Sequence, residues 1–88
     1  YMEKQQIKEQ LFPILSKVFF NIQMCSDRIN TIDLIDDLGM DSVTFITLII
    51  EIESHFQITV ADEYLLFDHF RNINDIVDII YTHLNSNM

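Results

Sequence analysis

The sequence predicts an all-α domain, a small four-helix bundle with three main helices, one short helix and a long first loop. Two observations favour this fold class. Apolar residues recur at helical spacing in three separate segments. The 88 residues include one Gly and one Pro, whereas folds built from strands and tight turns need many of both. The length suits one small core, and we expect residues 1–88 to form a single domain.

The first helix is predicted from about Glu3 to Phe19. Pro13 lacks an amide hydrogen and clashes with the preceding turn, so we expect a kink there or a helix that begins later. A long polar loop is predicted from Asn21 to Asp41. The apolar stripe of the helix consists of Ile7, Leu11, Ile14, Leu15 and Val18. The loop has its own apolar residues to anchor it to the core: Ile29, Ile32, Leu34, Ile35 and Leu38.

The second helix is predicted from Ser42 to about Phe56. Gly39 suits a turn that needs a positive φ. Asp41 suits the position before the helix, because its carboxylate can accept hydrogen bonds from the exposed amides of the first turn. The sequence therefore places Ser42 at the head of a helix.

The remaining segments predict a loop and two further helices. Residues 57–60 have some strand preference but are interpreted as a loop, and a short helix is predicted over about 62–66. The last helix is predicted over about 73–84, with Asn72 as its cap and Asp75 at its third position. Its apolar stripe consists of Ile73, Ile76, Val77, Ile80, Tyr81 and Leu84.

The charge of the chain limits its partners. The formal net charge is -9, and from Ile29 onward eleven acidic residues face a single base, Arg71. Such a field disfavours nucleic acid and anionic membranes and favours basic protein surfaces, although it can also serve solubility alone.

Cys25 is the single cysteine, so no disulfide framework is expected. With no apolar run of membrane-spanning length, these features predict a cytoplasmic monomer.

No catalytic or metal-binding group is predicted. A nucleophilic serine needs a base within reach, and His55 lies more than three turns from Ser42 on the same helix. The three histidines are fourteen residues apart, without the spacing of metal ligands. The acidic run over 33–37 lacks the alternation and the glycine of a calcium loop. We therefore expect a protein that is not an enzyme and has no metal site.

The second helix carries two apolar sectors when its residues are placed at about 100° intervals around the axis. The larger sector is suited to the core and contains Phe45, Leu48, Ile49, Ile52 and Phe56. The smaller sector lies beside Ser42 and contains Val43, Ile46 and Ile50. This smaller sector is either a partly exposed docking patch or a second buried surface, and the pattern alone favours neither.

Residues 38–43, with the sequence LGMDSV, resemble the attachment motif of acyl and peptidyl carrier proteins. That motif has an apolar residue, Gly, any residue, Asp, Ser and an apolar residue in this order. The order of the predicted elements agrees with the family over nearly the whole chain. The resemblance implies a carrier that is not an enzyme. It also implies a covalent 4′-phosphopantetheine arm, taken from coenzyme A and attached to Ser42, with acyl groups held on it as thioesters.

The resemblance also implies partners and contact residues. The partners would be a phosphopantetheinyl transferase, an acyl- or aminoacyl-loading enzyme, and downstream acyl-transferring or condensing enzymes. Asp41 would take part in recognition by the transferase. The residues implied in docking are Met40, Val43, Ile46, Ile50 and Glu53. The resemblance thus favours the exposed alternative for the smaller sector.

Some departures from the family pattern bear on the pathway. Thr44 and Thr47 stand where carriers of primary fatty acid synthesis usually have acidic residues, and Phe45 is unusually bulky. The residues before Ser42 also differ from those of peptidyl carriers. We therefore expect a free-standing carrier of a specialised polyketide or nonribosomal-type pathway. The alternatives are a fatty acid carrier, a D-alanyl carrier, a carrier-like structural subunit that is never modified, and an unrelated acidic adaptor.

Overall fold

The computed structural model describes residues 2–19, 21–22 and 31–85. Its α-helices are α1 (Lys4–Val18), α2 (Ser42–Phe56) and α3 (Ile73–Asn85), and two 3₁₀ helices, Asp62–Tyr64 and Phe67–Phe70, connect α2 to α3. Within these ranges no β-strand is present. The predicted all-α fold class is confirmed. Ile29 and Cys25, named above, lie outside the described residues.

Helix α1 continues through its proline. It begins at Lys4, and the amide of Glu3 donates to Oε1 of Gln6 at 2.9 Å just before the first turn. Pro13 removes one helical hydrogen bond, but buried residues on both sides of it pack into the core and offset that loss. The alternative of a helix that begins later is therefore wrong. Four residues of the predicted stripe, Ile7, Leu11, Ile14 and Leu15, are buried, while the fifth, Val18, is partly buried.

Helix α2 has the predicted bounds. It ends at Phe56 because Gln57 adopts a left-handed conformation with φ 56° and ψ 47°. The Gln57 amide donates to the carbonyl of Glu53, and its side-chain Nε2 donates to the carbonyl of Ser54 at 2.6 Å. The larger apolar sector is buried as predicted and comprises Phe45, Leu48, Ile49, Ile52 and Phe56.

The connection from α2 to α3 contains more helix than the sequence predicted. The predicted short helix over 62–66 is a 3₁₀ helix that ends at Tyr64. The second 3₁₀ helix was not predicted, and Phe70 at its end is fully buried. The rings of Phe67 and Phe70 each meet the ring of Phe45 edge-on, with centroids 5.5 Å apart. This aromatic cluster holds the first turn of α2 against the connection.

Helix α3 completes the core. Ile79 is buried in addition to the predicted stripe, while Tyr81 and Leu84 pack at the edge of the core. Oδ1 of Asn72 accepts the amides of Asn74 at 2.8 Å and Asp75 at 3.4 Å, in agreement with its predicted role as cap. Among the residues described, every fully buried one is apolar. No helix in this part of the chain is both long enough and apolar enough to span a bilayer.

Candidate functional site

Ser42 is the first residue of α2, and its side chain is exposed. Its hydroxyl makes no hydrogen bond with the part of the chain that the structure describes. A helix start also concentrates amides that lack partners within the helix, and these favour a negatively charged group nearby. The hydroxyl is therefore accessible, free to react, and placed where an attached phosphate is stabilised.

Asp41 caps α2. Its Oδ1 accepts the amide of Thr44 at 2.8 Å and the hydroxyl of Thr44 at 2.9 Å. The bond from the Thr44 amide is the main cause that lowers the pKa of Asp41, followed by the bond from the Thr44 hydroxyl. The carboxylate therefore stays ionised and fixes the first turn beside Ser42. Its recognition by a transferase stays a prediction.

Gly39 provides the turn that leads into the site. Its φ is 70°, and a side chain at this position would meet no atom within 4 Å. Glycine is therefore favoured by the backbone conformation and not by lack of space. The Gly39 amide donates to the carbonyl of Ile35 at 3.1 Å, which closes the preceding turn.

Met40 does not lie on the surface. Its side chain is 4% exposed, and its amide donates to the carbonyl of Leu34 at 2.9 Å. The turn at Gly39 and this hydrogen bond direct the side chain into the core, while Asp41 and Ser42 remain exposed. The prediction that Met40 contacts partner enzymes is therefore wrong.

The smaller apolar sector of α2 is exposed. Val43 is 75% exposed, Ile46 54% and Ile50 58%, and we call these three residues the apolar patch. The alternative that they form a second buried surface is wrong. At about 100° per residue, the patch lies within roughly a quarter of the helix circumference of Ser42. Exposed apolar groups of this kind mark contact sites for other proteins.

Leu66 was missed by the sequence analysis. It is 52% exposed and precedes Phe67, whose ring packs on Phe45 of α2. The segment that carries Leu66 therefore lies alongside the start of α2, on which Ser42 stands. Leu66 belongs to no periodic apolar pattern, so the sequence offered no signal for its exposure.

Glu53 has a visible structural role. Its side chain is half-buried, and Oε2 accepts the amide of Val60 at 2.9 Å. This bond ties the loop after α2 back to the helix. Its docking role stays a prediction, and the carboxylate is already engaged within the domain.

An ionic cluster centred on Arg71 joins the loop before α2 to the second 3₁₀ helix. Its Nε donates to Oδ2 of Asp33 at 2.8 Å, Nη2 lies 3.2 Å from Asp36, and Nη1 lies 3.6 Å from Asp68. The pKa of Arg71 is raised, chiefly by the bond to Asp33. The pKa of Asp33 is lowered by the amide of Asp36 first and also by Arg71. The sequence analysis noted Arg71 as a lone base but gave it no role.

Two of the three histidines have partners away from Ser42. His55 is hydrogen-bonded to Gln10 of α1 at 2.9 Å, and Nε2 of His83 accepts the amide of Ala61 at 3.0 Å. In the described ranges, no three His, Cys, Asp or Glu side chains gather closely enough to hold a metal ion.

Comparisons with known proteins find a family match and similar relatives for this chain. The family described as "Phosphopantetheine attachment site" matches residues 25–80. The chain is 38% identical over 82 residues to "Acyl carrier protein" of Phytoplasma mali (strain AT), an alignment that covers 93% of this chain and 88% of that protein. It is 32% identical over 74 residues to "Acyl carrier protein homolog" of Mycoplasmopsis pulmonis (strain UAB CTIP), covering 84% of this chain and 90% of that protein.

Proposed function

The chain belongs to the phosphopantetheine-binding acyl carrier proteins, and on that premise we propose that it holds an acyl group as a thioester on a 4′-phosphopantetheine arm attached to Ser42. Proteins of this family are carriers and not enzymes, and they work with modifying and acyl-handling enzymes. The observation that supports Ser42 as the attachment residue is its exposed hydroxyl, which has no hydrogen-bond partner among the described residues.

The residues around Ser42 suit this attachment. A transferase would join the Ser42 oxygen to the phosphorus of the arm, while the bond between the two phosphates of coenzyme A breaks and the nucleotide half leaves. When bound, the arm supplies a terminal thiol for the acyl group. Asp41 and Thr44 hold the first turn in place, and the amides of that turn favour the negative charge of the phosphate.

We propose the apolar patch together with Leu66 as the surface that contacts partner enzymes. Thr47, beside the patch, donates its hydroxyl to the carbonyl of Val43 at 3.0 Å and adds no charge. Docking through this surface therefore depends on apolar burial more than on ion pairs. This supports a specialised polyketide or nonribosomal-type pathway, with fatty acid synthesis as the alternative. The names of the relatives favour neither pathway. We also propose a cytoplasmic location, which the presence of a single cysteine in the sequence supports.

The attachment is tested by intact mass after incubation with coenzyme A, magnesium and a transferase of broad specificity. Wild type should gain the mass of one phosphopantetheine, and Ser42→Ala should gain none. Ser54→Ala is the matched control, because Ser54 is exposed at the other end of α2, and it should gain the same mass as wild type. A wild-type chain that stays unmodified would leave the unmodified structural subunit as the better explanation.

The pathway is tested by loading the modified carrier. A panel of enzymes that load malonyl groups, amino acids, D-alanine or long acyl chains should act on it at different rates. Preferential loading by malonyl transferases of polyketide systems or by amino acid adenylating enzymes supports the specialised pathway. Preferential loading by the enzymes of fatty acid synthesis contradicts it and leaves the carrier function intact.

A further inference from the structure

We propose that Arg71 is a positioning residue for Ser42: it clamps the turn before α2 and so presents the serine to the modifying enzyme in one orientation. The proposal rests on the proposed attachment at Ser42. It concerns a residue whose guanidinium contacts Asp33, Asp36 and Asp68 and not the Ser42 hydroxyl, and that acts through the chain between Asp33 and Asp41.

Arg71 joins two separate segments of the chain. Its guanidinium bonds to Asp33 and Asp36 of the loop before α2, and it lies within 3.6 Å of Asp68 in the second 3₁₀ helix. Its own carbonyl accepts the amide of Leu34 at 2.8 Å. An antiparallel bridge between Asp33 and Asn72 continues this contact. Arg71 therefore holds the loop by both its side chain and its backbone.

Asp33 connects Arg71 to the turn before α2. Its Oδ1 accepts the amides of Ile35 and Asp36, each at 2.9 Å, while Oδ2 is held by Arg71. Its backbone amide donates to Oδ2 of Asp37 at 2.8 Å, and its carbonyl accepts the amide of Asp37 at 2.7 Å. One carboxylate thus fixes both the shape of the turn and its attachment to Arg71.

This turn holds the residues that precede the serine. The amide of Gly39 donates to Ile35, and the amide of Met40 donates to Leu34, the residue whose own amide is bound by Arg71. Asp41 follows and caps α2. Hydrogen bonds therefore link Arg71 to Met40 through Leu34, and the chain itself joins Met40 to the cap at Asp41 next to Ser42.

Electrostatic interactions make the conformation of the turn before α2 depend on Arg71. Arg71 is the single Lys or Arg between positions 31 and 85. Without it, the carboxylates of Asp33, Asp36 and Asp68 remain close together with no cation among them, and their repulsion opens the turn. A group transfer needs the attacking oxygen in one orientation, so a turn that opens slows the transfer even when the helices stay folded.

The test compares Arg71→Gln and Arg71→Lys with two controls. Lys4→Gln removes a cation from another exposed ion pair, Lys4–Asp78, which joins α1 to α3. Ile80→Val lowers stability from within the core of α3 and leaves the clamp intact. Transfer of the arm from coenzyme A is measured well below the melting temperature of each variant, and amide hydrogen exchange is followed at Gly39 and Met40.

We expect Arg71→Gln to lower kcat/KM for arm transfer about tenfold and to speed exchange at both amides, since orientation of the reacting group is lost. Arg71→Lys keeps the charge without the forked geometry of the guanidinium, and its kcat/KM should lie between those of wild type and Arg71→Gln. Both controls should stay within about twofold of wild type, because the groups they change do not hold the turn.

The proposal is overturned if Arg71→Gln is modified as fast as wild type, or if Ile80→Val slows transfer as much as Arg71→Gln does. If Arg71→Gln does not fold, Asp33→Asn serves in its place because it removes the charge that Arg71 binds, and unchanged transfer together with unchanged exchange in that variant also overturns the proposal. If the wild-type chain accepts no arm, the proposed function is refuted instead. The exchange rates at Gly39 and Met40 alone then test whether Arg71 holds the turn.

Discussion

Truncation of two neighbouring isoleucines of α2 should affect stability and recognition by partner enzymes in opposite orders. Ile49 is 7% exposed and belongs to the core, whereas Ile50 is 58% exposed and belongs to the apolar patch. Substitution by Ala removes the same three carbon atoms at each position. Ile49→Ala should lower the free energy of unfolding by about 3 kcal/mol, from lost burial and from the cavity left behind. Ile50→Ala should lower it by about 0.5 kcal/mol, because less than half of the side chain is buried and Ala favours the helix.

Urea and thermal unfolding measure this pair of variants. For a domain of this size the melting temperature should fall by about 15 °C in Ile49→Ala and by about 3 °C in Ile50→Ala. Loading of the carrier by partner enzymes should show the reverse order once both variants are compared in the folded state. Similar losses of stability in the two variants would refute the division of α2 into a core face and a docking face.

Three further predictions concern the turns and the cluster around Arg71. The lowered pKa of Asp33 stabilises the fold above its ordinary value of 3.8 and stops doing so as the pH falls through the folded value. The melting temperature of Asp33→Asn should therefore lie below that of wild type near neutral pH, and the gap should close on acidification below about pH 4; a constant gap contradicts this. Gly39→Ala should lower the free energy of unfolding by about 1–2 kcal/mol, because only the positive φ opposes it. Gln57→Gly should raise the free energy of unfolding by about 0.5 kcal/mol. Glycine relieves the strain of the left-handed conformation, and this gain should exceed the loss of the side-chain bond to Ser54. Urea unfolding of both variants measures these changes, and a loss in Gln57→Gly would show that the side-chain bond dominates.

The helices and the serine could be predicted because their signals are local. Helical spacing of apolar residues located α1, α2 and α3 to within about two residues at each end. Asp41 and Ser42 were identified together, because a cap and the first residue of a helix are adjacent in sequence. The exposure of the apolar patch was the weaker inference, since two apolar sectors on one helix also suit a helix buried on most sides.

The missed features depend on contacts between distant residues. The second 3₁₀ helix has too few residues to show a period, and burial of Phe70 against Phe45 stabilises it. Met40 was misplaced because a motif gives the order of residues in a turn but not the direction of each side chain. Arg71 lies 38 residues from Asp33, a separation at which no sequence pattern links a base to an acid. The later start of α1 was wrong, because local propensity at Pro13 yields to packing along the rest of the helix.

The exclusively apolar make-up of the buried residues has a consequence for how this domain can change. Buried hydrogen-bonding groups fix how neighbouring elements slide and rotate against one another, and among the described residues every fully buried side chain is apolar. Exchanges among aliphatic residues of similar volume are therefore well tolerated. A library that shuffles Ile, Leu, Val and Met through the interior should still yield folded variants. Selection for arm attachment would then act mainly on a short list of surface positions around one hydroxyl.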